Sequence, residues 1–161
     1  MEFTDTDIMA KSNKFNLKQA EQKARKAMEA AIVDVGNTAK VFFVASFRKQ
    51  GWDDKSVEKW KPRKKKTYKT KSGKTVDDTT RAILVKTGDL RRSIIRDPAN
   101  RAALSIKIHS DLIYSRVHND GLRAGRGKGF IMPKRQFMGD SYNLNEQVKK
   151  VIVKRLDKIF K

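Results

Sequence analysis

Four short groups of residues in this chain carry side chains of the types that act in catalysis or in ligand binding. Ser72-Gly73-Lys74-Thr75 matches the end of a phosphate-binding P-loop. That motif requires a glycine five positions before Gly73, where this chain has Tyr68, and no strand is predicted before it. The segment 125–129 contains three glycines, but it does not match the dinucleotide fingerprint and no β-α-β pattern surrounds it. The sequence therefore does not predict a nucleotide-binding site.

The histidines and the paired aspartates are the other residues suited to chemistry. A metal site needs three or four ligands, and no clustered carboxylates accompany His109 and His118. Asp53-Asp54 and Asp77-Asp78 are neighbours in predicted loops, so their side chains point in different directions. The chain has no cysteine, which excludes a thiolate nucleophile, a thiolate zinc site and a disulfide framework. We predict no catalytic residue, no metal and no cofactor, and we interpret the histidines as packing or hydrogen-bonding residues.

The length and composition of the chain limit the kind of fold that can position these residues. The chain has 161 residues, of which 38% are apolar, below the globular average of about 45–50%. This length favours one domain with a modest core. The longest apolar-rich stretch, Val41–Phe47, is far shorter than a membrane span, and the acidic N-terminus lacks the apolar region of a signal peptide. We therefore expect an intracellular protein as synthesised, with no membrane partner.

The net charge of +20 is unevenly distributed along the chain. Residues 1–60 carry a net charge of +2, and residues 61–161 carry a net charge of +18. The excess comes from three segments, Lys61–Lys74, Arg123–Arg135 and Lys149–Lys161. Such clusters favour an anionic partner, either nucleic acid or an acidic protein surface. The candidate contact residues are Lys64, Lys65, Lys66, Lys69, Arg123, Arg126 and Lys128.

The N-terminal region predicts a polar, flexible arm over residues 1–15 and then a long helix over about 16–48. Asn16 is a good N-cap, and Gln19 stands three residues later as its capping-box partner. Apolar residues then recur at helical spacing as far as Phe47. At 1.5 Å per residue this helix is about 50 Å long, more than the core of a small domain spans. It must therefore protrude or pack against another subunit.

The rest of the chain predicts a mixture of short elements. We expect a basic loop over about 61–80, an antiparallel hairpin formed by Ser93–Asp97 and 104–109, and a short helix that ends at Gly121. A mobile glycine loop and a short strand at 130–132 follow. A closing amphipathic helix is predicted to begin at the capping pair Asn143 and Glu146. The predicted fold class is α+β, with residues 16–161 as a single domain in which both long helices pack on a small antiparallel sheet.

Three blocks resemble the phage virion morphogenesis, or tail completion, family of Mu-like and related tailed phages. They occupy residues 84–94 (LVKTGDLRRSI), 114–121 (YSRVHNDG) and 131–139 (IMPKRQFMG). Their order and spacing are similar to the family's Thr-Gly-x-Leu-x-x-Ser-Ile, Tyr-x-x-x-His-x-x-Gly and Pro-x-Arg-x-Phe-Leu-Gly blocks. Met132 and Met138 replace residues that are usually Ile and Leu, and both stay apolar. The matching positions are Thr87, Gly88, Leu90, Ser93, Ile94, Tyr114, His118, Gly121, Pro133, Arg135, Phe137 and Gly139.

The resemblance implies a structural protein that joins tail to head, built as a ring of identical subunits with a hexamer expected. Its implied neighbours are head-tail connector, tail terminator or tail tube proteins, with non-specific contact to packaged DNA. Its implied location is the neck or tail of the virion, and the host cytoplasm during assembly. From the residues themselves, we expect Gly88 and Gly121 to adopt positive φ angles. We also expect Leu90, Ile94, Tyr114 and Val117 to lie in the core, and Arg135 to pair with a carboxylate.

Two other functions compete with this interpretation. The lysine-rich segment 61–74 favours a stand-alone nucleic-acid-binding protein. An enzyme such as a nuclease would need clustered acidic metal ligands, and the sequence offers none.

Overall fold

A computed structural model describes residues 16–63, 67–77 and 81–159. The predicted arm over residues 1–15 and the lysines at 64–66 lie outside the described residues. In chain order, the elements are α1 (Leu17–Lys49), β1 (Gly51–Asp53), β2 (Val57–Lys59), β3 (Thr67–Lys69), β4 (Thr75–Asp77), α2 (Asp89–Arg92), β5 (Ile94–Arg96), β6 (Ile108–Ser110), α3 (Ser115–Asp120), β7 (Arg123–Ala124), β8 (Phe130–Ile131) and α4 (Tyr142–Asp157).

The long N-terminal helix is confirmed. The Asn16 side chain accepts a hydrogen bond from the Gln19 amide at 3.1 Å, as the capping pattern predicts. The helix ends where Gln50 adopts a left-handed conformation with φ of 52°. No residue between 16 and 30 is buried, and Ala31 is the first buried position of α1. The first part of the helix therefore makes little contribution to the core.

The α+β class is confirmed, with the strands distributed over four separate antiparallel pairs. The pairs are β1–β2, β3–β4, β5–β6 and β7–β8. The predicted hairpin around residue 100 is β5–β6, in which Ile95 lies opposite His109. The β1–β2 hairpin was not predicted, because its strands have three residues each and β2 is exposed.

The predicted basic loop over 61–80 is wrong for its central part. Residues 67–77 form the β3–β4 hairpin, in which Tyr68 lies opposite Val76. The turn is closed by the Thr70 amide, which donates to the Lys74 carbonyl at 2.9 Å. The threonines and the Tyr-Val pair favour a strand, and this preference outweighs the lysine content. The division into one domain and an arm stays a prediction.

An aromatic core joins α1 to the rest of the chain. The Phe47 ring lies 5.1 Å from the Phe137 ring and 5.6 Å from the Trp60 ring, measured between centroids. Such tilted and edge-to-face pairs add about 0.5–1.5 kcal/mol each to the gain from burial. The buried residues of this cluster are Ala39, Phe42, Phe43, Phe47, Trp52, Trp60, Leu90, Ile94, Phe137 and Leu144. Leu90 and Ile94 were predicted core residues, whereas the sequence analysis missed both tryptophans.

Tyr114 was predicted to be buried, and this is wrong, because its side chain is 41% exposed. It precedes α3, and the part of α3 that follows is only half-buried against its neighbours. Val117, one turn further on, is also half-buried.

The closing helix α4 packs antiparallel to α1. The first residues of α4 lie near the C-terminal end of α1. Arg155, near the C-terminal end of α4, forms an ion pair with Asp34 in the middle of α1 at 2.5 Å. The predicted cap at Asn143 is wrong by two residues. Ser141 caps the helix and accepts from the Leu144 amide at 3.2 Å. Asn143 instead donates to Asp53 at 2.8 Å, a partner that is distant in sequence.

Within the described residues, α1 is long and apolar enough to cross a membrane by length and composition alone. The mean hydropathy of its qualifying 18-residue window is 1.3, and 39% of that window is buried inside the protein. Core helices meet the same criterion, so this finding is weak evidence for a span. The expectation of no membrane partner stays a prediction.

Two glycines with similar left-handed backbones allow a matched test of close packing. Gly121 ends α3 with φ of 73°, and a Cβ there would lie 2.9 Å from the Lys134 amide nitrogen. Gly127 has φ of 61°, and a Cβ there would meet nothing within 4 Å. We expect Gly127→Ala to lower the free energy of unfolding by about 1–2 kcal/mol through backbone strain alone. Gly121→Ala should cost about 1–3 kcal/mol more, because it adds overpacking. Urea unfolding measures both, and equal losses would contradict the close approach of Gly121 to Lys134.

Candidate functional site

The first block, residues 84–94, forms a tight turn that delivers two apolar side chains to the core. Gly88 adopts φ of 78°, as predicted, and stands before the one-turn helix α2. The Arg92 side chain donates a hydrogen bond across this turn to the Thr87 carbonyl at 2.9 Å. The Ser93 hydroxyl donates to the Leu90 carbonyl at 2.8 Å. The polar residues of this block therefore hold the turn that buries Leu90 and Ile94.

The second and third blocks are joined by hydrogen bonds between their backbones and side chains. The Arg135 amide donates to the His118 carbonyl at 2.8 Å. The Asn119 side-chain oxygen accepts from the amides of Phe137 and Met138, both at 2.9 Å. Asn119 lies inside the second block but was not among the predicted site residues. No local signal identifies its partners, since they are 18 and 19 residues away.

The third block connects the core to the start of the lysine-rich segment. Phe137 is completely buried, and Trp60 donates through its indole nitrogen to the Gln136 carbonyl at 2.7 Å. The Arg135 guanidinium donates to the Lys61 carbonyl at 3.1 and 3.3 Å. A carboxylate partner was predicted for Arg135, and this is wrong, because a backbone carbonyl takes that place. Arg135 is buried, and its guanidinium, bonded to a backbone carbonyl, fixes the third block to the start of the lysine-rich segment.

Pro133 and Gly139 mark the two ends of this third block. Pro133 follows β8 after one residue and is half-buried, which agrees with the predicted end of the strand. Gly139 has φ of 143° and begins the turn into α4.

His118 occupies a partly buried position between these blocks. Its ring meets the Tyr114 ring edge-on at a centroid distance of 6.0 Å. Burial lowers the pKa of His118, and the nearby Arg135 charge lowers it further. Its buried Nδ1 atom has no hydrogen-bond partner among the described residues. The packing role predicted for this residue agrees with its ring contact.

The paired aspartates Asp53 and Asp54, which were considered as catalytic candidates, form hydrogen bonds within the fold. Asp54 accepts from the Tyr142 amide at 2.7 Å, and the Asp53 carbonyl accepts from the Ser141 hydroxyl at 2.7 Å. The hydrogen bond from Lys49 lowers the pKa of Asp53. These contacts hold the start of α4 against β1. Among residues 16–63, 67–77 and 81–159, no group of three or more His, Asp or Glu side chains could hold a metal ion.

The predicted anion contacts are placed on two separate hairpins. Lys69 is exposed on β3, while Lys64, Lys65 and Lys66 lie outside the described residues. Arg123 donates to the Lys128 carbonyl at 2.8 Å, so part of its donor capacity closes the β7–β8 hairpin. Arg126 and Lys128 are exposed in the turn of that hairpin.

The glycine segment 125–129 is this turn, and the strands beside it carry exposed apolar side chains. The turn is closed by the Gly129 amide, which donates to the Arg126 carbonyl at 3.2 Å. Phe130 is 56% exposed and Ile131 is 70% exposed. The sequence analysis predicted a strand here but not an exposed apolar surface. Large apolar residues beside a cationic turn are typical of a contact surface.

A family model described as the phage virion morphogenesis family matches residues 47–157, which is more than half of the chain. The chain belongs to the phage virion morphogenesis family. The match includes all three blocks and confirms the resemblance found in the sequence. It indicates a structural or assembly role in the phage virion. The searches of curated proteins and of solved structures found no significant match.

The position of His118 predicts a pH dependence of stability. Its folded-state pKa is lower than the unfolded value of about 6.5, so the unfolded chain binds the proton first as the pH falls. The stabilisation is complete above that unfolded pKa and is lost as the pH falls towards the folded pKa. We expect His118→Gln to flatten the change in the free energy of unfolding measured between pH 7.5 and 5.5. His109→Gln, which removes the chain's other histidine, serves as the control. An unchanged slope in His118→Gln would contradict the assignment.

Proposed function

We propose that this protein is a tail completion or head-tail joining component of the phage neck and assembles as a ring of identical subunits. One observation carries the proposal: the family blocks are used to build the fold. Phe137, Ile94 and Leu90 are buried in one core, and Arg135 clamps the backbone next to it. A family defined by such residues specifies a scaffold, and the function of a scaffold resides in its outer surfaces.

The unburied length of α1 supports assembly. Residues 16–30 cover about 20 Å of helix with no buried side chain, and Leu17 is 72% exposed. An isolated helical extension gains little stability in water unless another surface packs against it. A ring needs heterologous contacts, in which one patch meets a different patch on the next subunit. The extended α1 and the exposed β7–β8 hairpin are two such patches.

The implied partners and location follow from the same proposal. Neighbours in the neck would be head-tail connector, tail terminator or tail tube proteins. The protein would reside in the virion neck or tail and in the host cytoplasm before assembly. The expected hexamer comes from the resemblance alone. Packaged DNA passing through a ring would meet cationic side chains non-specifically, because phosphate contacts carry no sequence information.

Cryo-electron microscopy of the purified virion tests the location. We expect density that fits this fold, repeated around the axis at the head-tail junction or the top of the tail. Native mass spectrometry of the purified protein gives the subunit number independently. Absence of the chain from both the junction and the tail top would contradict the proposal.

A second candidate function, stand-alone binding of nucleic acid, is favoured by the β3–β4 hairpin. Lys69, Lys71 and Lys74 are all exposed on this short ribbon, and Tyr68 is 45% exposed beside them. Cations with an accessible aromatic ring suit phosphate contact and base stacking. One aromatic ring limits the stacking that this surface offers.

A salt titration of DNA affinity distinguishes this second function. Nucleic-acid binding predicts a log–log slope of about −0.9 per neutralised phosphate on duplex DNA. Replacing Lys64, Lys65, Lys66 and Lys69 by Gln should flatten the slope by about three to four units if each contacts a phosphate. Gln at Lys149, Lys150, Lys154 and Lys158 removes the same charge from α4 and its C-terminal cap, and is the matched control. An affinity that neither salt nor the variant at Lys64, Lys65, Lys66 and Lys69 changes would contradict the second function.

A further inference from the structure

A shallow groove with an apolar floor and a cationic rim lies between the outer side of α1 and Arg91 of α2, and Val44 in its floor also packs against the core. Its volume is about 360 Å³. Val41, Val44, Ala45 and Arg48 follow the i, i+3, i+4, i+7 spacing of one helical face. Phe43 and Phe47 of the same helix are buried in the core. Val41 is 69% exposed, whereas Val44 and Ala45 are half-buried, so the floor is open mainly at Val41.

The rim of this groove carries three cations. The lining residues are Lys40, Val41, Val44, Ala45, Arg48 and Arg91. Among the described residues, no carboxylate forms an ion pair with Lys40, Arg48 or Arg91. The nearest acid in sequence, Asp89, is bonded to Arg92 at 2.5 Å. An occupant that supplies both apolar side chains and carboxylates would match this surface.

The chain contains one segment of that composition, at its own N-terminus. Residues 1–9 (MEFTDTDIM) carry the carboxylates Glu2, Asp5 and Asp7, and no Lys or Arg. Phe3, Ile8 and Met9 supply apolar side chains in the same segment. Its acidic character contrasts with the net charge of +20 for the whole chain. Charge complementarity of this kind raises association rates and fixes orientation.

We propose that residues 2–9 of one subunit bind the groove at Val41, Val44 and Ala45 of the neighbouring subunit, and this inference rests on the proposed ring. Chain length excludes the same subunit for Ile8 and Met9. Met9 is eight residues from Leu17 and can extend about 29 Å from it. Val41 is 24 residues along α1 from Leu17, about 36 Å away. Ile8 and Met9 therefore reach Val41 only on the next subunit, so a contact that includes them is heterologous, and binding of residues 2–7 to the groove of their own subunit is the outcome in which no interchain link forms.

Cysteine cross-linking tests this contact directly, because the natural chain has no cysteine. Full-length Ile8→Cys protein and size-tagged Val41→Cys protein are mixed under mild oxidation, and disulfide-linked heterodimers are counted. The matched control is Val153→Cys, since Val153 is 53% exposed and lies among three lysines of α4 and the lysine that follows the helix. We expect heterodimers with Val41→Cys to form at least about tenfold faster than with Val153→Cys, because bound segments raise the local concentration. Equal rates would overturn the proposal.

Charge reversal tests the same contact through assembly. The charge of the segment is reversed by the triple variant Glu2→Lys, Asp5→Lys and Asp7→Lys. The charge of the groove is reversed by the triple variant Lys40→Glu, Arg48→Glu and Arg91→Glu. We expect each set alone to reduce the oligomer measured by native mass spectrometry about tenfold or more. A chain carrying both sets should regain it, because its reversed segment meets a reversed groove. That recovery also shows that the variants fold. Reversal of Lys149, Lys150 and Lys154 to Glu is the control for net charge.

The outcomes separate this inference from the proposed function. An oligomer that persists in the groove variant would overturn the segment-groove contact and leave the ring in place. A natural chain that stays monomeric at every concentration would contradict the ring and this contact together.

Discussion

The packing of Phe47 against Trp60 and Phe137 is the interaction on which the rest of the structure depends. Phe47 comes from α1, Trp60 follows β2 and Phe137 precedes α4, so the three rings join segments that are far apart in sequence. The described strands have only two or three residues each and form separate pairs. An isolated two-stranded hairpin is marginal in water at best. α1 provides the apolar surface on which β1 and β5 become stable.

Hydrogen bonds around this core determine where each short element lies. Asn119 satisfies two amides of the third block, and Trp60 satisfies the Gln136 carbonyl beside them. Leaving a partly buried amide unsatisfied costs about 1–3 kcal/mol, so these polar residues fix the path of the chain as strongly as the aromatic rings do. The family blocks combine both kinds of residue, which explains why their polar positions need no catalytic role.

Sequence reasoning succeeded where the deciding interaction is local. Asn16 and Gln19 set the start of α1, and Gly88 and Gly121 adopt the expected left-handed conformation. It failed where the deciding partner is distant. Asn143 resembles a cap by spacing, yet Asp53 holds its side chain while Ser141 caps the helix. Leu90 and Ile94 are buried as predicted, whereas Phe137 is buried without having been predicted for the core, and no pattern distinguished exposed Tyr114 from the core residues.

The two faces of α1 show why the net charge does not by itself identify a partner. Some cations are used inside the fold: Arg155 pairs with Asp34, and Arg135 donates to a backbone carbonyl. Others, such as Arg48, are exposed on the outer side of α1 and have no carboxylate partner among the described residues. A change on the core face acts through the aromatic packing and therefore through stability. A change at an exposed outer position such as Val41 or Arg48 leaves that packing intact, so it alters what the subunit binds. Within this one helix, the core positions therefore determine the stability of the subunit, and the exposed positions determine its association.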